Sequence, residues 1–158
     1  MKDPIYPSAG SGGERILEGM NVTTSARTVV WPTLRYRDAN SAIAFLLEAF
    51  GFEEAAVYRS DDGTVVDHAE LRWPEGGGVM LGSARPDSGL TELPPGVGAI
   101  YVAVTDPDAL YERAKAHGAT ITREMRDEEY GSRGFAARDP EGVIWSFGTY
   151  AGAASPGA

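Results

Sequence analysis

Arg138-Asp139-Pro140-Glu141-Gly142, continued by Val143-Ile144-Trp145-Ser146-Phe147, reads as a strand, a Pro/Gly turn and a return strand. An earlier stretch echoes it 66 residues upstream: Arg72-Trp73-Pro74-Glu75-Gly76, leading into Val79-Met80-Leu81. The parallel continues before each copy. Arg37-Asp38-Ala39-Asn40 opens a helical pattern that stops at Gly51, and Thr105-Asp106-Pro107-Asp108 opens one that stops at Gly118. A sequence that repeats its turn, its helix start and its helix stop specifies two similar halves.

Working outward, Val29–Tyr36 reads as the first strand, with Val30, Pro32, Leu34 and Tyr36 facing one way and Trp31, Thr33 and Arg35 the other. Asp38 is placed to cap a helix whose apolar stripe is Ile43, Leu46, Leu47 and Phe50. Strands follow over 52–59, 65–73 and 79–82, and residues 83–96 read as a linker. The second half repeats the order: a strand over 99–104, a helix over 107–117 capped by Asp106 with Pro107 at its first position, and a strand near 120–123. An acidic loop then runs through Glu128, Glu129 and Tyr130 to strands over 133–138 and 143–149. Each half is βαβββ. The fold class is α+β: two tandem modules, 28–83 and 97–150, forming a curled mixed sheet around a central cleft, with the helices on its outer face. Residues 1–27, rich in Gly, Ser and Pro, read as a flexible extension or added leader, with Met20 as a possible start, and 151–158 as a disordered tail.

Composition narrows the function. There is no cysteine, which removes disulfides, thiolate metal sites and cysteine nucleophiles. The net charge of −9, from 14 basic and 23 acidic residues without a basic cluster, argues against nucleic acid as a partner. No apolar run reaches the roughly 20 residues of a membrane span, and residues 1–19 lack the apolar core of a secretory signal. The expectation is a cytoplasmic protein with no membrane partner. Ser132 and Ser146 lack a His/Asp arrangement for nucleophilic catalysis.

The paired βαβββ pattern, the capping Asp at each module start and the Arg-Asp-Pro-Glu-Gly turn before the last strand resemble the glyoxalase/bleomycin-resistance/extradiol-dioxygenase superfamily, or vicinal oxygen chelate proteins. Tyr130-Gly131-Ser132-Arg133-Gly134-Phe135 followed by Arg138-Asp139-Pro140 is similar to its bleomycin-resistance-like and PhnB-like branches. The resemblance implies a divalent metal held by His, Glu or Gln from cleft-lining strands. Here the corresponding positions carry Trp31, Ala99 and Ser146, with Gly82 near the fourth, and these are not ligands for such a cation. The expectation is therefore no metal and no cofactor.

The residues left to line the cleft are Trp31, Thr33, Arg35, His68, Glu70, Met80, Tyr101, Tyr130, Arg133 and Ser146. Alternation puts Ala69 and Leu71 under the helix and turns His68 and Glu70 toward the cleft, as an acid–base pair, as two metal ligands or as a hydrogen-bonded pair that fixes the sheet. Trp31 and Tyr101 offer flat faces for an aromatic or cationic ligand, or fill space between modules. Tyr130 and Arg133 either clasp a ligand or pair with Glu128 and Glu129. Trp145 and Phe147 belong to the core, and His117 to a helix C-terminus.

The reading that follows is a metal-free small-molecule-binding protein resembling the bleomycin-resistance proteins. It would sequester an antibiotic or toxic compound, aromatic or cationic, as a homodimer, the assembly implied by the resemblance. The alternative is a glyoxalase-like lyase, isomerase or dioxygenase using His68 and Glu70 with a non-standard metal site. A module without a ligand is the third.

Overall fold

The computed structural model describes residues 30–86 and 93–153. The first module is β1 (Thr33–Tyr36), α1 (Ala39–Phe45) continuing into a π-helical turn (Leu46–Phe50), β2 (Glu53–Arg59), β3 (Val66–Arg72) and β4 (Gly78–Ser83). The second is β5 (Ala99–Ala103), α2 (Pro107–Ala116), β6 (Thr120–Asp127), β7 (Arg133–Arg138) and β8 (Ile144–Gly148). The strand orders β1-β4-β3-β2 and β5-β8-β7-β6 are the same, and in each the first and last strands pair in parallel while the others are antiparallel. The fold is α+β, with two tandem modules in two four-stranded mixed sheets that do not close into a barrel.

Both helices begin as their sequences dictate. The Asp38 carboxylate accepts from Ser41 N–H at 3.0 Å, and Asp106 accepts from Ala109 N–H at 3.0 Å. Gly51 and Gly118 end them at φ +83°, a left-handed conformation that costs glycine little.

Each helix covers one face of its own sheet, and the two covered faces share a single core. Phe50 packs against Trp145 at 5.5 Å and Phe147 at 4.9 Å, and Phe52 reaches Trp145 at 5.5 Å. The second sheet thus rests on the π-helical turn of the first module. Arg113 of α2 locks the same turn from outside, donating to the carbonyls of Leu47 and Glu48 at its C-terminal end. With the covered faces turned toward each other, both bare faces point outward from the shared core.

The repeated turns hold the modules together reciprocally. Glu141 accepts from the Arg37 and Asp38 N–H groups at 2.6 and 2.8 Å, where α1 begins. Glu75 accepts from Thr105 N–H at 3.1 Å and from its hydroxyl, where α2 begins. Each Pro-Glu-Gly turn therefore grips the start of the other module's helix. Asp139 is 4% exposed and fully engaged. Its Oδ1 accepts from the Glu141, Gly142 and Val143 N–H groups, and its Oδ2 from Tyr36 OH at 2.7 Å and Trp145 Nε1–H at 3.1 Å.

Several expectations change in detail. The first strand begins at Thr33, so Val30 and Pro32 are exposed and only Leu34 and Tyr36 join the core. Pro32 offers no N–H to a ladder, although its carbonyl accepts from Met80 N–H. β6 runs to Asp127, beyond the expected end at 123, because Ile121, Arg123 and Met125 keep alternating toward cover across two irregular registers. The stripe of α1 broadens in the π-helical turn, where Ala49 is buried and Leu47 only half-buried. The extension and most of the tail, together with part of the linker, lie outside the described residues. Residues 151–153 are exposed and without regular structure.

Candidate functional site

The bare face of the first sheet is set by strand pairing. β4 shows Gly78, Met80 and Gly82 to this face, since Val79 and Leu81 point into the core. The register puts Thr33, Met80, Glu70 and Ala56 in one cross-strand row. Gly82 pairs with Arg35, and Tyr58 with His68, in the adjoining row. Six of the expected residues, Trp31, Thr33, Arg35, His68, Glu70 and Met80, thus gather on one surface.

The two glycines decide how that surface is filled. A Cβ at position 78 would lie 2.7 Å from Trp31 Cζ3, so the indole occupies the space that Gly78 leaves. The Arg72 guanidinium sits over the same ring, 4.7 Å from its centroid, a cation–π stack. A Cβ at position 82 would lie 2.4 Å from Arg35 Nη1, so the Arg35 guanidinium fills the second gap. Between them, His68 Nε2–H donates to Glu70 Oε1 at 3.2 Å, both side chains being partly covered. Tyr58 stacks on the His68 ring at 6.2 Å. At the edge, Arg85 pairs with Asp67.

The second bare face carries Tyr101 and Ser146 in one row with Ala136. Tyr101 OH donates to the Tyr150 carbonyl at 2.8 Å, and the Tyr101 ring lies against Gly148. Tyr130 meets Tyr150 edge-on at 6.1 Å and is largely exposed. Arg133 forms a two-pronged ion pair with Asp108 at 2.8 Å and reaches Asp127 at 3.2 Å. Those acids hold its charged form firmly and push it above the ordinary arginine value. Arg133 is thereby committed to the first turn of α2, and its partners are not the expected Glu128 and Glu129. Glu128 instead binds Arg123 and Arg126. Within one chain the first-sheet residues and the pair Tyr101–Ser146 lie on different outward faces.

His117 behaves as a helix terminator, its Nδ1–H donating to the Arg113 carbonyl at 2.9 Å. Trp145 and Phe147 are fully buried. The sequence reading passed over Arg72, Tyr58 and Tyr150. Period-two alternation in β2 and β3 could have found the first two; Tyr150 follows the last strand and had no periodic signal.

The metal of the vicinal oxygen chelate enzymes does not fit this donor set. Indole, hydrogen, methyl and hydroxyl stand at the four strand positions, and no group of three His, Cys, Asp or Glu that could hold a metal ion occurs among the described residues. His68 and Glu70 supply two donors, already engaged with each other.

Comparison with known proteins agrees with the architecture. The family model of the glyoxalase/bleomycin resistance protein/dioxygenase superfamily matches residues 28–147. An uncharacterized protein of Mycobacterium tuberculosis strain H37Rv is 34% identical over 137 residues, covering 83% of this chain and 79% of that protein. The crystal structure of TioX from Micromonospora sp. ML1 superposes with a TM-score of 0.67 at 29% identity, covering 77% of this chain and 98% of that one. A glyoxalase/bleomycin resistance protein from Streptomyces sp. CB03234 shares the fold, with a TM-score of 0.57 at 19% identity over 73% of this chain and 94% of that one. With both modules, both capping aspartates and the paired Pro-Glu-Gly turns in place, the chain belongs to the glyoxalase/bleomycin resistance protein/dioxygenase superfamily.

Proposed function

We propose that this protein binds and sequesters a small molecule without metal, as the bleomycin-resistance reading of the sequence suggested, with an antibiotic or other toxic compound as the cargo. The observation that carries the proposal is the composition of the first bare face. An indole at one of the positions where the superfamily's enzymes would place a metal ligand stands together with a thioether and a His–Glu pair. Of the two ligand types the sequence suggested, aromatic or cationic, the two arginines on this face, Arg35 and Arg72, favour the aromatic. A flat ring extends the existing guanidinium–indole stack and buries Met80, at about 25 cal/mol per Å² of apolar surface covered.

A single outward face cannot enclose a ligand. Enclosure follows if a second copy supplies its second bare face, with Tyr101 and Ser146, over Trp31 and Met80 of the first; the functional unit in this proposal is a cytoplasmic homodimer. Titration of the full chain with naphthoate and naphthamide, followed by tryptophan fluorescence, tests the binding claim. Because Trp73 and Trp145 are tied into the core, saturable quenching that disappears in Trp31→Phe, with the probe recovered unchanged, is the expected result. Quenching that persists in Trp31→Phe, or no quenching at all, overturns it.

One observation favours a second reading. The 3.2 Å His68–Glu70 contact has the geometry of an acid–base pair, with Glu70 fixing the imidazole. A lyase or isomerase working through it would chemically alter its ligand, and His68→Ala would abolish turnover.

A further inference from the structure

The first bare face holds a cation, Arg35, that forms no ion pair with any acid among the described residues. Arg35 Nε is buried and has no hydrogen-bond partner among the described residues, an arrangement that is rare in native interiors. The acids nearby are engaged elsewhere, Asp67 with Arg85 and Glu70 with His68. The charge is also held against its own preference: burial first, and the neighbouring Arg85 second, push Arg35 below its ordinary value. A guanidinium kept charged in such a place, with an unused donor, is completed by an oxyanion.

Gly82 makes the arrangement possible. The Arg35 head occupies the space that any side chain at position 82 would take, beside the position where the superfamily's enzymes place a metal ligand. We infer that Arg35 is the fixed cation of this site and that the ligand presents a carboxylate, phosphate or similar oxyanion to it. Gly78, under Trp31, and Gly82, under Arg35, are four residues apart on one strand, or about 13 Å. The ligand class is thus an extended aromatic acid, its ring at Trp31 and its anionic group at Arg35, with Thr33 and Met80 between. This specification rests on the sequestration reading above.

Two measurements on the full chain separate the claims. In the first, inorganic phosphate is titrated while the NMR resonance of Arg35 Nε–Hε is followed. A saturable shift, absent in Gly82→Ala where the new Cβ displaces the guanidinium, is expected; an unmoved resonance overturns the inference. In the second, calorimetry compares biphenyl-4-carboxylate, long enough to reach from Trp31 toward Arg35, with its neutral isostere biphenyl-4-carboxamide. The wild type should prefer the acid by roughly ten- to a hundredfold, and Arg35→Gln should erase the preference. A preference that survives Arg35→Gln refutes the assignment. Failure of both biphenyl probes would sink the stacking proposal, while the phosphate titration would still decide Arg35.

Discussion

Removing the Asp139 carboxylate is the sharpest perturbation of the fold. In Asp139→Ala, Tyr36 OH and Trp145 Nε1–H lose their acceptor, and both residues are fully buried. Three turn N–H groups lose theirs as well. Two buried, unsatisfied donors cost about 1–3 kcal/mol each, so the loss is about 2–6 kcal/mol before the turn itself is counted. Against a typical stability of about 5–15 kcal/mol this is severe. At roughly 2–4 °C per kcal/mol for a chain of this size, the melting temperature should fall on the order of 10 °C. Urea unfolding followed by far-UV circular dichroism measures it, with Tyr36→Phe completing a double-mutant cycle. The coupling between the two substitutions should be about 1–3 kcal/mol, because removing the hydroxyl relieves part of the aspartate defect. Asp139→Ala within about 0.5 kcal/mol of wild type would refute the reasoning, since it would mean that water replaces the carboxylate at no cost.

The same hydroxyl gives a pH prediction. Burial, followed by the charge and hydrogen bond of Asp139, pushes the Tyr36 hydroxyl well above its ordinary value of 10. The unfolded chain therefore releases this proton first, so the stability it provides is complete below about pH 10 and is lost as the pH rises further. Alkaline titration of unfolding should show a shallower decline in Tyr36→Phe than in wild type; parallel declines would contradict the assignment. At the site, Gly78→Ala should destabilise by about 1–3 kcal/mol, since its Cβ would meet the Leu71 carbonyl oxygen at 2.3 Å as well as the indole. Urea unfolding checks the cost and tryptophan quenching the loss of ligand binding. An unchanged variant on both counts would show that the indole does not depend on this glycine.

Much of the fold was legible because repetition and alternation are local signals. The echo of Pro74-Glu75-Gly76 in Pro140-Glu141-Gly142 marked two modules, and alternation through Ala69 and Leu71 turned His68 and Glu70 to the bare face. What was not legible is contact across the chain. Nothing near Glu141 in sequence says that its carboxylate caps α1, some hundred positions earlier, although its repeat partner Glu75 does the mirror-image task. Sequence offers Arg133 either a ligand or its neighbours Glu128 and Glu129, yet Asp108 at the start of α2 holds it. The outward orientation of the bare faces was equally hidden, because it follows from Phe50 and Phe52 docking on Trp145, a tertiary contact with no periodic signature. The gap at Gly82 needed coordinates, since a glycine in a strand does not announce which side chain will occupy its space.

The central claim is that this member of the superfamily holds its ligand through side chains alone. Elemental analysis of the purified full chain, with calorimetric titration of zinc, nickel and manganese, tests it most directly. The account predicts less than stoichiometric metal and no saturable heat from any of the three ions. One bound metal per chain, lost in His68→Ala, would contradict it and turn His68 and Glu70 into ligands of a catalytic centre.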